Sequence, residues 1–157
     1  PGIRIEDEEG HRDGRGKEAA EFYCGLIPGS RVEKVFTGDA GMGTFSVIDF
    51  TLGGAPYQIL DAGPHFTLTE AVSISVDAPA QAESDRLWHS LTANGGEESV
   101  CGWLTDRFGV SWQILPRRLT ELTLHSDKTV SAAAMAEMMK QKKIDIAAIE
   151  AAVKAAA

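Results

Sequence analysis

The sequence carries only two cysteines, Cys24 and Cys101. That is too few for a disulfide framework or a zinc box, and the expectation is two reduced thiols in a cytoplasmic protein. Long apolar runs are missing too. No stretch approaches the roughly 20 apolar residues that a membrane helix needs, so no membrane partner is expected. A basic segment followed by an apolar one, the mark of a secretory signal, is not visible. Positive charge is scarce: 15 basic against 23 acidic side chains give a net charge of −8. Such a chain repels phosphate backbones, which argues against nucleic acid. Also lacking are a G-x-x-x-x-G-K-[ST] loop and any legible Ser-His-Asp arrangement. Gly41-Met42-Gly43 falls between expected strands and opens no helix, so it is not a dinucleotide fingerprint.

What is present suffices for a core. Of 157 residues, 43% are hydrophobic, enough for one ordinary domain or two small fused units. Residues 1–17 stand apart: nine are charged and four are glycine. This leader cannot bury enough surface to offset its ordering entropy and reads as disordered, with at most a short strand at Ile3–Ile5. Periodicity then begins. Ala19, Phe22, Tyr23 and Leu26 share a helix face, and Pro28-Gly29-Ser30 ends that helix. Arg31 to Thr37 reads as a strand, and Gly38 to Gly43 as a loop. Phe45 to Leu52 alternates with Ile48, Phe50 and Leu52 on one side. Gly53-Gly54 signals a hairpin into Ala55 to Leu60.

After a loop over Asp61 to Thr69, Ala71 to Val76 alternates as a strand. Asp77 is placed to cap a helix that has Pro79 in its first turn and buries Leu87, Trp88 and Leu91. Ser99 to Thr105 and Val110 to Leu115 read as strands. The tail, 121–157, reads as a helical hairpin with a stripe of Met135, Met138 and Met139, Asp145 capping its second helix, docked on the body or on a second subunit.

An internal repeat runs through this pattern. TLGGAPYQIL (51–60) lies over DRFGVSWQIL (106–115), with Gly54 on Gly109, Tyr57 on Trp112, and Gln58-Ile59-Leu60 on Gln113-Ile114-Leu115. Phe22-Tyr23 with Leu26 likewise falls over Leu87-Trp88 with Leu91. Each half therefore reads as helix, strand, hairpin, and the second also has a strand before its helix.

At these residues the chain resembles the vicinal-oxygen-chelate superfamily of glyoxalases, dioxygenases and bleomycin-resistance proteins. It is most similar to the PhnB-like, demethylubiquinone methyltransferase-like branch. The carrying segments are EAAEFYCGLIPGSRV, GPHFTLTEAVSISV, NGGEESVCGWLTDRFGVSWQILPRRL and KKIDIAAIEAA. The resemblance implies an α+β fold of two βαβββ modules, 18–62 and 70–116 within 18–120. The first strand of the first module is missing or replaced by the leader. It also implies a small organic ligand and a homodimer.

Metal-using members take ligands from the first and last strands of each half. Here the last-strand positions are Gln58 and Gln113, and the second first strand begins at Ala71. Amides and an alanine do not make a divalent site, so no metal and no cofactor are expected. The candidate ligand-binding residues are Gln58, His65, Ser73, Ser75, Trp103 and Gln113. The glutamines and serines would line a concave face of uncharged donors and acceptors, or would simply satisfy one another and structural water. His65 follows Asp61 by four residues near the expected pocket mouth, where a base or a ligand contact would stand. The alternatives are a metalloenzyme acting on an oxygenated metabolite, or the methyl transfer that the branch's label implies. A methyltransferase of the usual class needs a doubly wound sheet and a Gly-rich turn, which the pattern lacks.

Overall fold

A computed structural model of the chain describes residues 2–3, 15–39, 41, 43–63 and 67–156. His65 and residues 4–14 of the leader lie outside the described residues. The chain forms two units. The first is Pro1–Thr69 with Phe108–Val110, and the second is Glu70–Arg107 with Ser111–Ala157.

In the first unit β1 (Gly2–Ile3) precedes α1 (Arg15–Leu26), β2 (Arg31–Asp39), β3 (Thr44–Leu52) and β4 (Ala55–Asp61). The sheet order is β1-β4-β3-β2. The first strand of the module is therefore present, at Gly2–Ile3, and runs parallel to β4 with Gly2 beside Gln58; the rest of the expected Ile3–Ile5 strand lies outside the described residues. The helix begins at Arg15, inside the segment expected to be disordered. Its start is fixed from far along the chain. The Gly16 N–H donates to Asp61 Oδ2 at 3.0 Å, and a Cβ at Gly16 would meet Asp61 and Ile59 side-chain atoms at 3.0 Å. A carboxylate at the first turn satisfies an otherwise orphaned donor and favours the positive end of the helix dipole.

Alternation in β3 then builds the core. Ile48, Phe50 and Leu52 are buried, with Ile59 of β4, beside Ala19, Ala20 and Tyr23 of α1. Tyr23 meets the Phe108 ring edge-on, with centroids 5.9 Å apart. Gly53 and Gly54 both have positive φ, 57° and 86°, as a two-residue hairpin turn requires. The Cys24 thiol lies 3.7 Å from the Thr51 carbonyl. Burial, then the Glu33 carboxylate, pushes its pKa up, which keeps it an unreactive thiol.

The second unit repeats the plan with β5 (Ile74–Ala78), α2 (Gln81–Thr92), β6 (Glu97–Glu98), β7 (Trp103–Thr105) and β8 (Ser111–Pro116). Its order, β5-β8-β7-β6, matches that of the first sheet position for position. The parallel pair again aligns, with Ser75 beside Gln113 where the first unit has Gly2 beside Gln58. Two boundaries differ from the sequence pattern. Val72 is 75% exposed, and β5 begins only at Ile74, which pairs with Trp112 of β8. Asp77 lies in β5 and pairs with Arg117 at 3.0 Å, whereas the cap position is Ala80, with no side-chain cap.

Two buried indoles anchor this unit. Trp88 Nε1 donates to Glu98 Oε1 and Trp112 Nε1 to Asp106 Oδ2, each at 2.8 Å. On α2 the fully buried Ser84 hydroxyl has no hydrogen-bond partner among the described residues. Replacing Ser84 with alanine removes an unsatisfied group and improves helix propensity, so it is expected to stabilise the chain by about 1 kcal/mol. Urea unfolding checks this: a midpoint that stays put or falls would mean the hydroxyl is satisfied.

After β8 comes α3 (Arg117–Thr123), and the tail then forms the expected helical hairpin of α4 (Lys128–Met138) and α5 (Ile146–Ala156). Asp145 caps α5 as expected, its Oδ1 accepting from Ala147 N–H at 2.9 Å. Leu119, Leu122, Ala134, Ile144 and Ile149 form one core, onto which Met138 packs. Met135 and Met139 are exposed instead, so the methionine stripe is divided. The tail docks on its own unit. Cys101 and Gly102 N–H donate to the Gln141 and Lys142 carbonyls, each at 2.8 Å. The Gln81 amide spans the start of α5, donating to Ile144 O at 2.8 Å and accepting from Ile146 N–H at 3.0 Å.

Candidate functional site

Because Ile48, Phe50 and Ile59 take the helix side, Val47, Asp49 and Thr51 fall on the opposite face, with Pro56, Gln58 and Leu60. Register pairs Asp49 with Gln58, Thr51 with Pro56 and Val47 with Leu60. A hollow of about 450 Å³ opens over these rows, lined by Glu33, Asp49, Thr51, Pro56, Tyr57 and Gln58 among others.

Its polar groups are ordered. Gln58 Nε2 donates to Asp49 Oδ1 at 2.8 Å. A carboxylate only accepts, so the amide orientation follows from chemistry, and Oε1 is the end left open. Glu33 sits at a β-bulge in β2, between Val32 and Lys34. It accepts from Thr51 Oγ1 at 2.7 Å and pairs with Arg31 at 2.7 Å. The Thr51 bond, then the Arg31 bond, holds its carboxyl below the usual carboxylate range.

In the second unit Gln113 lies between Ser75 of β5 and Trp103 of β7. Its Nε2 donates to Ser73 Oγ at 2.8 Å, just before β5 begins. A second hollow, about 260 Å³, is lined by Glu70, Ser99, Val100, Trp103, Leu104 and Thr105. The structure thus brings Ser75, Trp103 and Gln113 together on one sheet, with Ser73 bonded to Gln113 just ahead of it, and sets Gln58 in the equivalent row of the other.

Asp49 and Glu33 were not legible as site residues in the motifs. For Asp49 a signal existed: a carboxylate between Ile48 and Phe50 in an alternating strand must face away from the core. Glu33 enters only through the bulge, which the sequence does not mark.

Gln58 and Gln113, at the last-strand positions, carry amides, which bind hard and borderline cations weakly. Among the described residues no group of three or more His, Cys, Asp or Glu side chains is placed to hold an ion. Both sheets are mainly antiparallel, without the doubly wound parallel arrangement that cradles a nucleoside methyl donor in the usual methyltransferases.

Two βαβββ modules with identical strand order define a vicinal-oxygen-chelate, glyoxalase-like protein. The chain belongs to the 3-demethylubiquinone-9 3-methyltransferase family, whose model matches residues 12–115. Helices α3–α5 lie beyond that match. The PhnB protein from Bacillus cereus, which bears that methyltransferase name provisionally, is similar at 25% identity with a TM-score of 0.61. That alignment covers 74% of this chain and 98% of the Bacillus protein. Protein PA1353 from Pseudomonas aeruginosa aligns at 21% identity and a TM-score of 0.55, over 71% of this chain and 92% of its own. The second likeness speaks to fold alone. The comparison with curated proteins gives no match.

Proposed function

We propose that this PhnB-like chain binds a small organic molecule on the open faces of its sheets, without a bound metal. The observation that carries the reading is the Gln58–Asp49 pair at the floor of the larger hollow. It presents fixed polar groups beside Pro56, which is how a small-molecule site is built. Ser73, Ser75, Trp103 and Gln113 supply the corresponding surface in the second unit, and His65 belongs to the proposal on its position in the sequence. The proposed setting is a cytoplasmic homodimer. Supporting the dimer, β2 is an edge strand with Val35 and Phe36 exposed at 41% and 51%, the kind of unpaired edge that takes a second chain.

Amide-resolved NMR titration with a panel of uncharged fragments tests the binding reading. Shifts are expected to cluster on β3 and β4, with a second group on β7 and β8. A panel that moves no sheet resonance would defeat it. Sedimentation of the same sample as a monomer would remove the dimer.

A further inference from the structure

The polar groups of the first unit's hollow differ in kind, and the difference selects a ligand. On the open face of β3 and β4 two side-chain donors are held by carboxylates. Gln58 Nε2 is held by Asp49, and Thr51 Oγ1 by Glu33. What faces outward accepts: Gln58 Oε1, which has no partner among the described residues, and the Asp49 carboxylate beyond the oxygen that holds Gln58. Among the described residues that line the hollow none is basic. Arg31 is engaged with Glu33. Lys34 lies opposite Asp49 on the edge strand but makes no ion pair with it. Asp49 and Gln58 sit directly across neighbouring strands, roughly 5 Å apart at the backbone, so one nitrogen with several N–H groups reaches both.

We infer that the first unit's hollow takes a small amine: a protonated nitrogen on Asp49 and Gln58 Oε1, with an apolar body lying over Pro56 and towards Leu60. Leu60 is exposed at 36% and shares this face with Val47, its register partner. A carboxylate or phosphonate ligand would meet the Asp49 carboxylate and the open Gln58 Oε1, with the Lys34 ammonium across from Asp49 drawn to that carboxylate as well. This inference rests on the reading of the open face as a ligand site and adds the ligand's charge and polarity.

Three isosteric probes separate the possibilities: 2-phenylethylamine, 2-phenylethanol and phenylacetate, titrated into the full chain at neutral pH with amide shifts read residue by residue. The amine is expected to shift β3 and β4 and to bind about tenfold tighter than the alcohol, with an affinity that falls as salt rises. Phenylacetate is expected to leave both strands unmoved. Asp49→Asn, nearly isosteric and still able to accept from Gln58, is expected to reduce the amine to the alcohol's affinity. If that variant does not fold, the salt dependence of the wild-type chain stands in for it. An alcohol that matches the amine, or phenylacetate as the tightest of the three, overturns the amine inference and leaves the ligand-binding reading in place. Silence from all three probes while the uncharged panel still binds does the same. Silence from the probes and the panel together overturns both.

Discussion

Trp112→Ala is expected to cost about 3–5 kcal/mol, a large share of the 5–15 kcal/mol that typically holds a domain together. The side chain is fully buried, and its Nε1 donates at 2.8 Å to Asp106, itself only 3% exposed. Truncation would leave a cavity where the indole was and withdraw a donor from a carboxylate already out of water. Trp112→Phe separates the two effects. It keeps most of the apolar volume and loses the N–H, so roughly 1–3 kcal/mol of the loss should persist. Urea unfolding at 25 °C measures both. A loss below about 1 kcal/mol for the alanine variant would contradict the burial and the bond.

Gly102→Ala is expected to lose roughly 2–4 kcal/mol and to loosen the helical tail. Gly102 has φ +82°, and an added Cβ would stand 2.8 Å from Leu115 Cδ2, 3.0 Å from the Ile114 carbonyl and 3.2 Å from Ile144 Cγ1. The same residue donates its N–H to Lys142 O and accepts from Ile114 N–H, both at 2.8 Å, so it ties sheet and tail to one peptide. The substitution therefore combines backbone strain with a clash against the tail's own core. Limited proteolysis should cut between α4 and α5 faster in the variant. Gly25→Ala is the contrasting control. It is helical with nothing within 4 Å of its added Cβ, so a neutral or slightly stabilising result is expected. Similar losses at both positions would show that the space around Gly102 is not what matters.

Most of the architecture was legible because it depends on local periodicity. The alternation of Ile48, Phe50 and Leu52, the Gly53-Gly54 turn and the Gln-Ile-Leu repeat all lead to elements that the structure contains. What escaped depends on distant partners. Gly2–Ile3 becomes a strand only by lying against Gln58 and Ile59, and no property of a two-residue segment announces that. Arg15 starts a helix because Asp61, 45 residues beyond Gly16, caps it. Asp77 looked like a cap because its neighbours suit one, yet the parallel ladder with Leu115 claims it for β5. In the site, the repeat pointed directly at Gln58 and Gln113, whereas Asp49 acquires meaning only once register sets it opposite Gln58.

The duplicated halves have unequal hairpins. β2 and β3 have nine residues each, whereas β6 and β7 have two and three. Strands of nine residues extend about 30 Å and offer a broad platform, while the stunted pair leaves its connecting turn, 101–102, to grip the carboxy-terminal helices. The long pair therefore offers the wider open face, and the short pair holds the tail through Cys101 and Gly102. Substitutions at 101–102 are expected to free the helical tail, whereas those on the open face of β2 and β3 leave it seated.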